Sequence, residues 1–162
     1  MAANINWMLA AIFFIYAMST NYCIGETKMN LQKFCLEIGN FGCYLISIYR
    51  AILNTSTDAC ILARIANDYD YFKKNSIIGD DCEILQPAKI CERYGINVTV
   101  EKTKNWPKKA LFVIGKYHNK RTGYSHFVLM KGPREVEYDP LGDSVTVKEG
   151  YIESYRAFIG KQ

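Results

Sequence analysis

Residues 111–140 read LFVIGKYHNKRTGYSHFVLMKGPREVEYDP, and this stretch decides the fold. Apolar, β-branched runs alternate in it with turn residues. Leu111 to Tyr117 (LFVIGKY) reads as a strand, His118 to Gly123 (HNKRTG) as a basic turn, and His126 to Lys131 (HFVLMK) as the next strand. Gly132-Pro133-Arg134 reverses the chain, and Glu135 to Tyr138 (EVEY) begins another. Short strands joined by tight turns make an antiparallel meander. Just upstream, Asn97 to Glu101 (NVTVE) adds a strand. Downstream, Asp139 to Asp143 (DPLGD) reads as a loop, Ser144 to Val147 as a last short strand, and Tyr151 to Phe158 as a C-terminal helix.

The first half has a different period. Leu45, Ile46, Ile48, Tyr49 and Ile52 recur at helical spacing after Gly42. Ile61, Ile65, Tyr69 and Phe72 form one stripe of a second helix, from Asp58 to Phe72. A third helix is expected between the turn Gly79-Asp80-Asp81 and Tyr94, stopped by Gly95. Helices followed by antiparallel strands define an α+β chain.

Composition narrows the function. A chain of 162 residues allows one ordinary domain. Apolar residues make up 49% and aromatic residues 14%, which excludes a disordered chain. A net charge of +4 is far below the density that nucleic-acid binding needs. The two histidines, His118 and His126, exclude a histidine-rich metal site, and no metal or cofactor is expected. His118 lies in the basic turn and reads as solvated, as does the basic stretch from Lys102 to Lys109 (KTKNWPKK).

The first 25 residues carry no charged side chain, and Trp7 to Met18 is an apolar run of 12. That suits the apolar part of a signal peptide and is short for a membrane span. Residues 1–28 are therefore read as a signal or anchor segment, or as sequence ahead of a true start at Met29, and residues 29–162 as one domain. Export or membrane association follows if residues 1–25 are translated, and a cytoplasmic location otherwise. The six cysteines (Cys23, Cys35, Cys43, Cys60, Cys82, Cys91) fit either disulfides or buried thiols, and Cys60 and Cys91 read as core residues.

Three residues carry candidate chemistry. Cys43 follows Gly42 and opens the first helix, where unpaired backbone N–H groups favour a thiolate. His126 opens an apolar strand, so its imidazole sits at a sheet end. Asp139 returns to that end after a hairpin and can accept the second ring N–H of His126. Singly, each has a plainer reading: a small buried thiol, a structural histidine, a turn aspartate before Pro140. Together they are the thiol, base and orienting acid of nucleophilic catalysis.

Gly42-Cys43 at a helix start, His126-Phe127-Val128-Leu129 opening a strand, and Tyr138-Asp139-Pro140 after a hairpin resemble the papain-like cysteine peptidases. Within them the chain is most similar to the bacteriocin-processing, double-glycine leader peptidase group. The resemblance spans about Gln32 to Ser144. It implies a papain-like fold, with a helix-borne nucleophile packed on a C-terminal antiparallel sheet. It also implies Cys43 as nucleophile, His126 as general base and Asp139 as orienter, acting on a peptide or protein substrate, with cell-wall peptide a further candidate. The family places a glutamine about half a dozen residues before the cysteine, as an oxyanion donor. Glu37 stands there instead, with Asn40 and Gln32 the nearest amides, and Tyr44 follows the cysteine where a small residue is common. The sequence thus points to a cysteine peptidase or amidase, with a non-catalytic peptide-binding or inhibitor protein on the same scaffold as the alternative.

Overall fold

The computed structural model describes residues 37–53 and 57–161. The apolar segment 1–28, Cys23, Gln32 and Cys35 lie outside the described residues.

Helix α1 spans Cys43–Leu53 and α2 spans Asp58–Lys74. The expected faces are the buried ones: Leu45, Ile48 and Tyr49 on α1 and Ile61, Ile65 and Phe72 on α2 are fully enclosed. Burying each such side chain contributes about 1.5–3 kcal/mol. Cys60 differs from its expected core place and is exposed, because it falls outside the buried α2 stripe of Ile61, Leu62, Ile65, Tyr69 and Phe72. Cys91 is buried, as its apolar setting predicts.

The third helix is not continuous. The chain makes a 3-10 turn at Asp80–Cys82, closes a bridge between Ile78 and Ile84, and only then forms α3, Pro87–Glu92. The reason is Pro87, which cannot sit in a helix interior but fits a first turn. The expected stop holds. Gly95 has φ +74°, and Ile96 N–H donates to Cys91 O at 3.1 Å while Gly95 N–H donates to Glu92 O at 3.0 Å. That pair of bonds is a Schellman cap, which favours glycine at the left-handed position.

Four strands match the sequence reading: β1 Val98–Thr103, β2 Phe112–His118, β3 Ser125–Gly132 and β4 Glu135–Tyr138. The C-terminal region does not. Val145–Glu149 is a short helix, α4, rather than a strand, because the Ser144 side chain caps it by accepting from Thr146 N–H at 3.2 Å. Tyr151–Gly160 is strand β5 rather than a helix. All strands are antiparallel in the order β1-β5-β2-β3-β4, so β5 is inserted between β1 and β2 and only β2-β3-β4 is a meander.

Both sheet faces are covered. Val98, Ile114, Leu129 and Phe158 join the helical core. Val113, Tyr117, Val128, Met130 and Tyr155 form a second cluster with Trp106 and Val147. Trp106 stands edge-on to Tyr155 with centroids 5.5 Å apart, so the basic stretch around it is anchored to the sheet rather than freely solvated. β5 supplies both layers, Phe158 to one and Tyr155 to the other, and this two-faced burial selects strand over helix.

Candidate active site

α1 packs against β3, and this contact positions the site. Tyr44 stacks on Phe127, with centroids 4.6 Å apart and planes at 16°. One turn on, the buried Ser47 hydroxyl donates to Phe127 O at 3.3 Å. The bulky residue after Cys43 therefore points into the core and fixes the helix to the strand that carries His126.

Cys43 is the first residue of α1, but the free helix N-terminus expected there is absent, because helix precedes it. Residues 37–41 are helical, and hydrogen bonding runs across the junction: Gly42 N–H to Ile38 O at 2.9 Å, and Ile46 N–H to Gly42 O at 2.8 Å. A Cβ at residue 42 would lie 2.4 Å from Ile38 O, so only glycine fits before the thiol.

Asp139 is clamped by its own loop. Its Oδ1 accepts Leu141 N–H at 2.9 Å and its Oδ2 accepts Ser144 N–H at 3.1 Å. Oδ1 also lies 2.7 Å from Nε2 of His126. The residue is 4% exposed, and the Cys43 thiol acts on its ring together with Asp139. With Nε2 committed to Asp139, Nδ1 is left for the thiol. Cys43, His126 and Asp139, predicted from sequence, are thus brought together, and Cys43 keeps partial access to solvent.

The electrostatics follow the contacts. Burial alone would pull the His126 pKa down, but the bonds to Asp139 and Cys43 outweigh it and push the value up to about 9. Burial acts on Asp139 in the opposite sense to its donors. The hydrogen bond from His126 and the two backbone amides prevail and hold its carboxyl below the usual value. A ring with that proton affinity carries its proton at neutral pH.

The other residues singled out by sequence lie elsewhere or are altered by context. Asn40 is exposed on residues 37–41, and Gln32 lies outside the described residues. His118 ends β2 rather than lying in the turn and is partly exposed, with Nδ1 3.2 Å from Ser125 Oγ and its ring edge-on to Tyr151. Glu37 is 6% exposed, and its carboxylate lies 3.3 Å from Nζ of Lys73. Lys73 also donates to Gly79 O at 2.6 Å. Beside this pair the Cys82 thiol is buried, and desolvation pushes its pKa up to about 12, with charges on Lys73, Glu37 and Cys43 all felt there. Lys73 is the residue that sequence reading missed. A lysine in the last turn of a helix is ordinary, and its contact with residue 37 spans 36 positions.

No curated protein and no solved structure shows a significant match to the chain. The family described as "Protein of unknown function, DUF261" matches residues 25–160, and the chain belongs to that family.

Proposed function

We propose that the protein is a cysteine hydrolase of papain-like type that cleaves a peptide or amide bond. The observation that carries this reading is the 2.7 Å bond between Asp139 and His126, with the Cys43 thiol acting on the same ring. Cys43 attacks the carbonyl carbon as thiolate. His126 holds the thiol proton and delivers it to the leaving amine, and Asp139 keeps the ring oriented. Water then cleaves the thioester, with His126 as base. The substrate class is a peptide or protein, cell-wall peptide included. The apolar N-terminal segment, where translated, would direct the protein to export or to a membrane.

A non-catalytic peptide-binding or inhibitor scaffold is the second reading, favoured by the carboxylate of Glu37 where an amide donor is expected. Its ion pair with Lys73 offsets that charge, and Tyr44 packs in the core. These two contacts favour the hydrolase.

The test is the pH dependence of Cys43 alkylation by iodoacetamide, read by peptide mass spectrometry, with and without His126→Ala. Rapid labelling near pH 6 that the substitution abolishes is the expected result. Labelling that rises only around the ordinary thiol pKa of about 8.5, in both proteins alike, would leave the binding scaffold.

A further inference from the structure

We propose that Glu37 and Lys73 form a charge pair that tunes Cys43, with Lys73 as a positioning residue that cancels a buried carboxylate behind the nucleophile. This deepens the hydrolase reading and rests on it.

The geometry is a staple between the helical turn that leads into Cys43 and the last turn of α2. Glu37 lies on the helical residues 37–41 that run through Gly42 into α1. Six residues of helix amount to about 9 Å along the axis. Lys73, in the last turn of α2, reaches Glu37 at 3.3 Å, Gly79 O at 2.6 Å and Asp80 at 4.0 Å, and its Nζ lies 5.4 Å from the Tyr69 ring centre. Its ammonium is thus held from several sides.

Two further observations argue against a role in stability alone. A buried ion pair is often no better for stability than apolar residues of the same size. The loop that Lys73 grips also carries consecutive residues in the left-handed region, Asp81 at φ +50° and Cys82 at φ +57°. Non-glycine residues persist there only when their surroundings impose it, and such strain gathers at functional sites.

Among the described residues, the titratable and charged groups on the elements next to Cys43 are His126 from β3, Asp139 from the loop after β4, Cys82 from the 3-10 turn, Glu37 from the preceding helical turn and Lys73 from α2. Glu37 opposes a thiolate and Lys73 restores the balance. Six residues also turn a side chain about 240° round the axis, so the charges stand farther apart than that rise; at roughly 12 Å and an effective dielectric of about 20, one unit charge moves a titration by about one pH unit.

The experiment is the pH profile of iodoacetamide labelling at Cys43 in the full chain. Five variants are compared with it: Glu37→Gln, Lys73→Met, Lys73→Arg, the double Glu37→Gln/Lys73→Met, and His126→Ala. The labelling midpoint is expected to fall by about half to one pH unit in Glu37→Gln and to rise by a similar amount in Lys73→Met. Lys73→Arg and the double variant are expected to return to the wild-type midpoint. Packing loss alone cannot produce opposite signs that cancel. If Lys73→Met does not fold, Glu37→Gln and the double variant still decide. Midpoints that stay put, or that move the same way in both single variants, overturn the inference while His126 dependence preserves the hydrolase. A wild-type profile indifferent to His126→Ala overturns both.

Discussion

Asp68 and Asp139 each gather three donors. Asp68, 5% exposed, accepts from Tyr49 on α1 at 2.7 Å and from Tyr94 after α3 at 2.6 Å, and it is ion-paired with Arg93. Arg93 in turn lies 4.2 Å from the Tyr71 ring centre. Asp139 accepts from two amides of its own loop and bonds to His126. The number of donors does not separate the two sites; what their partners do next does. Tyr49 and Tyr94 have a single hydroxyl each, spent on Asp68, so that knot is closed and ties three helices together. His126 has a second nitrogen, which passes the influence of Asp139 on to a thiol with partial access to solvent.

Asp68→Ala breaks the closed knot and leaves buried tyrosine hydroxyls and a cation without a partner. It is expected to lower stability by about 3–5 kcal/mol, toward the lower end because Arg93 reaches solvent, as read from urea midpoints. A loss under about 1 kcal/mol, the median for a surface pair, would erase the distinction drawn here.

The open site carries the next largest effect, through pH. The folded His126 pKa of about 9 lies above its ordinary value of about 6.5. Its stabilisation is therefore fully present below about pH 6.5 and is lost as pH rises through 9. Between pH 6 and pH 8.5 the wild type is expected to lose about 2 kcal/mol, while His126→Ala stays nearly level. Above that window the buried thiols Cys82 and Cys91, both raised to about 12 chiefly by desolvation, add a decline of their own. Stability that rises from pH 6 to 8.5 would mean that the ring is neutral in the fold.

The smallest effect sets two tyrosines of α1 against each other. Tyr49→Phe removes a donor from Asp68 and is expected to cost about 1–2 kcal/mol. The Tyr44 hydroxyl is buried with no hydrogen-bond partner among the described residues. Tyr44→Phe is therefore expected to be neutral or to stabilise by less than about 1 kcal/mol. Equal losses in the two variants would show that packing of the rings, not the hydroxyl, sets their value.

What was legible in the sequence follows the range of the interaction. α1, α2 and β2 to β4 announce themselves through local period and turn chemistry, and Gly95 marks its cap. The order Cys43, His126, Asp139 is visible because each sits at the end of such an element. β5 was misread because Tyr151, Tyr155 and Phe158 fall at helical spacing, while strand alternation also buries residues on both faces. Ser144 as a cap was hidden by two valines that favour strands. The Glu37–Lys73 contact and the Asp68 knot are wholly tertiary, and no local pattern encodes them.

The place of β5 has a consequence for synthesis. It is the last in chain order of the five described strands and yet the partner of both β1 and β2. While residues 151–160 are still within the ribosome, β1 has no neighbour and β2 offers a bare, apolar edge of the kind that captures other chains. The sheet therefore closes in one late step, with distant segments meeting at once. A chain that stopped short of Tyr151 would be a sticky, half-built product rather than a slightly shorter protein.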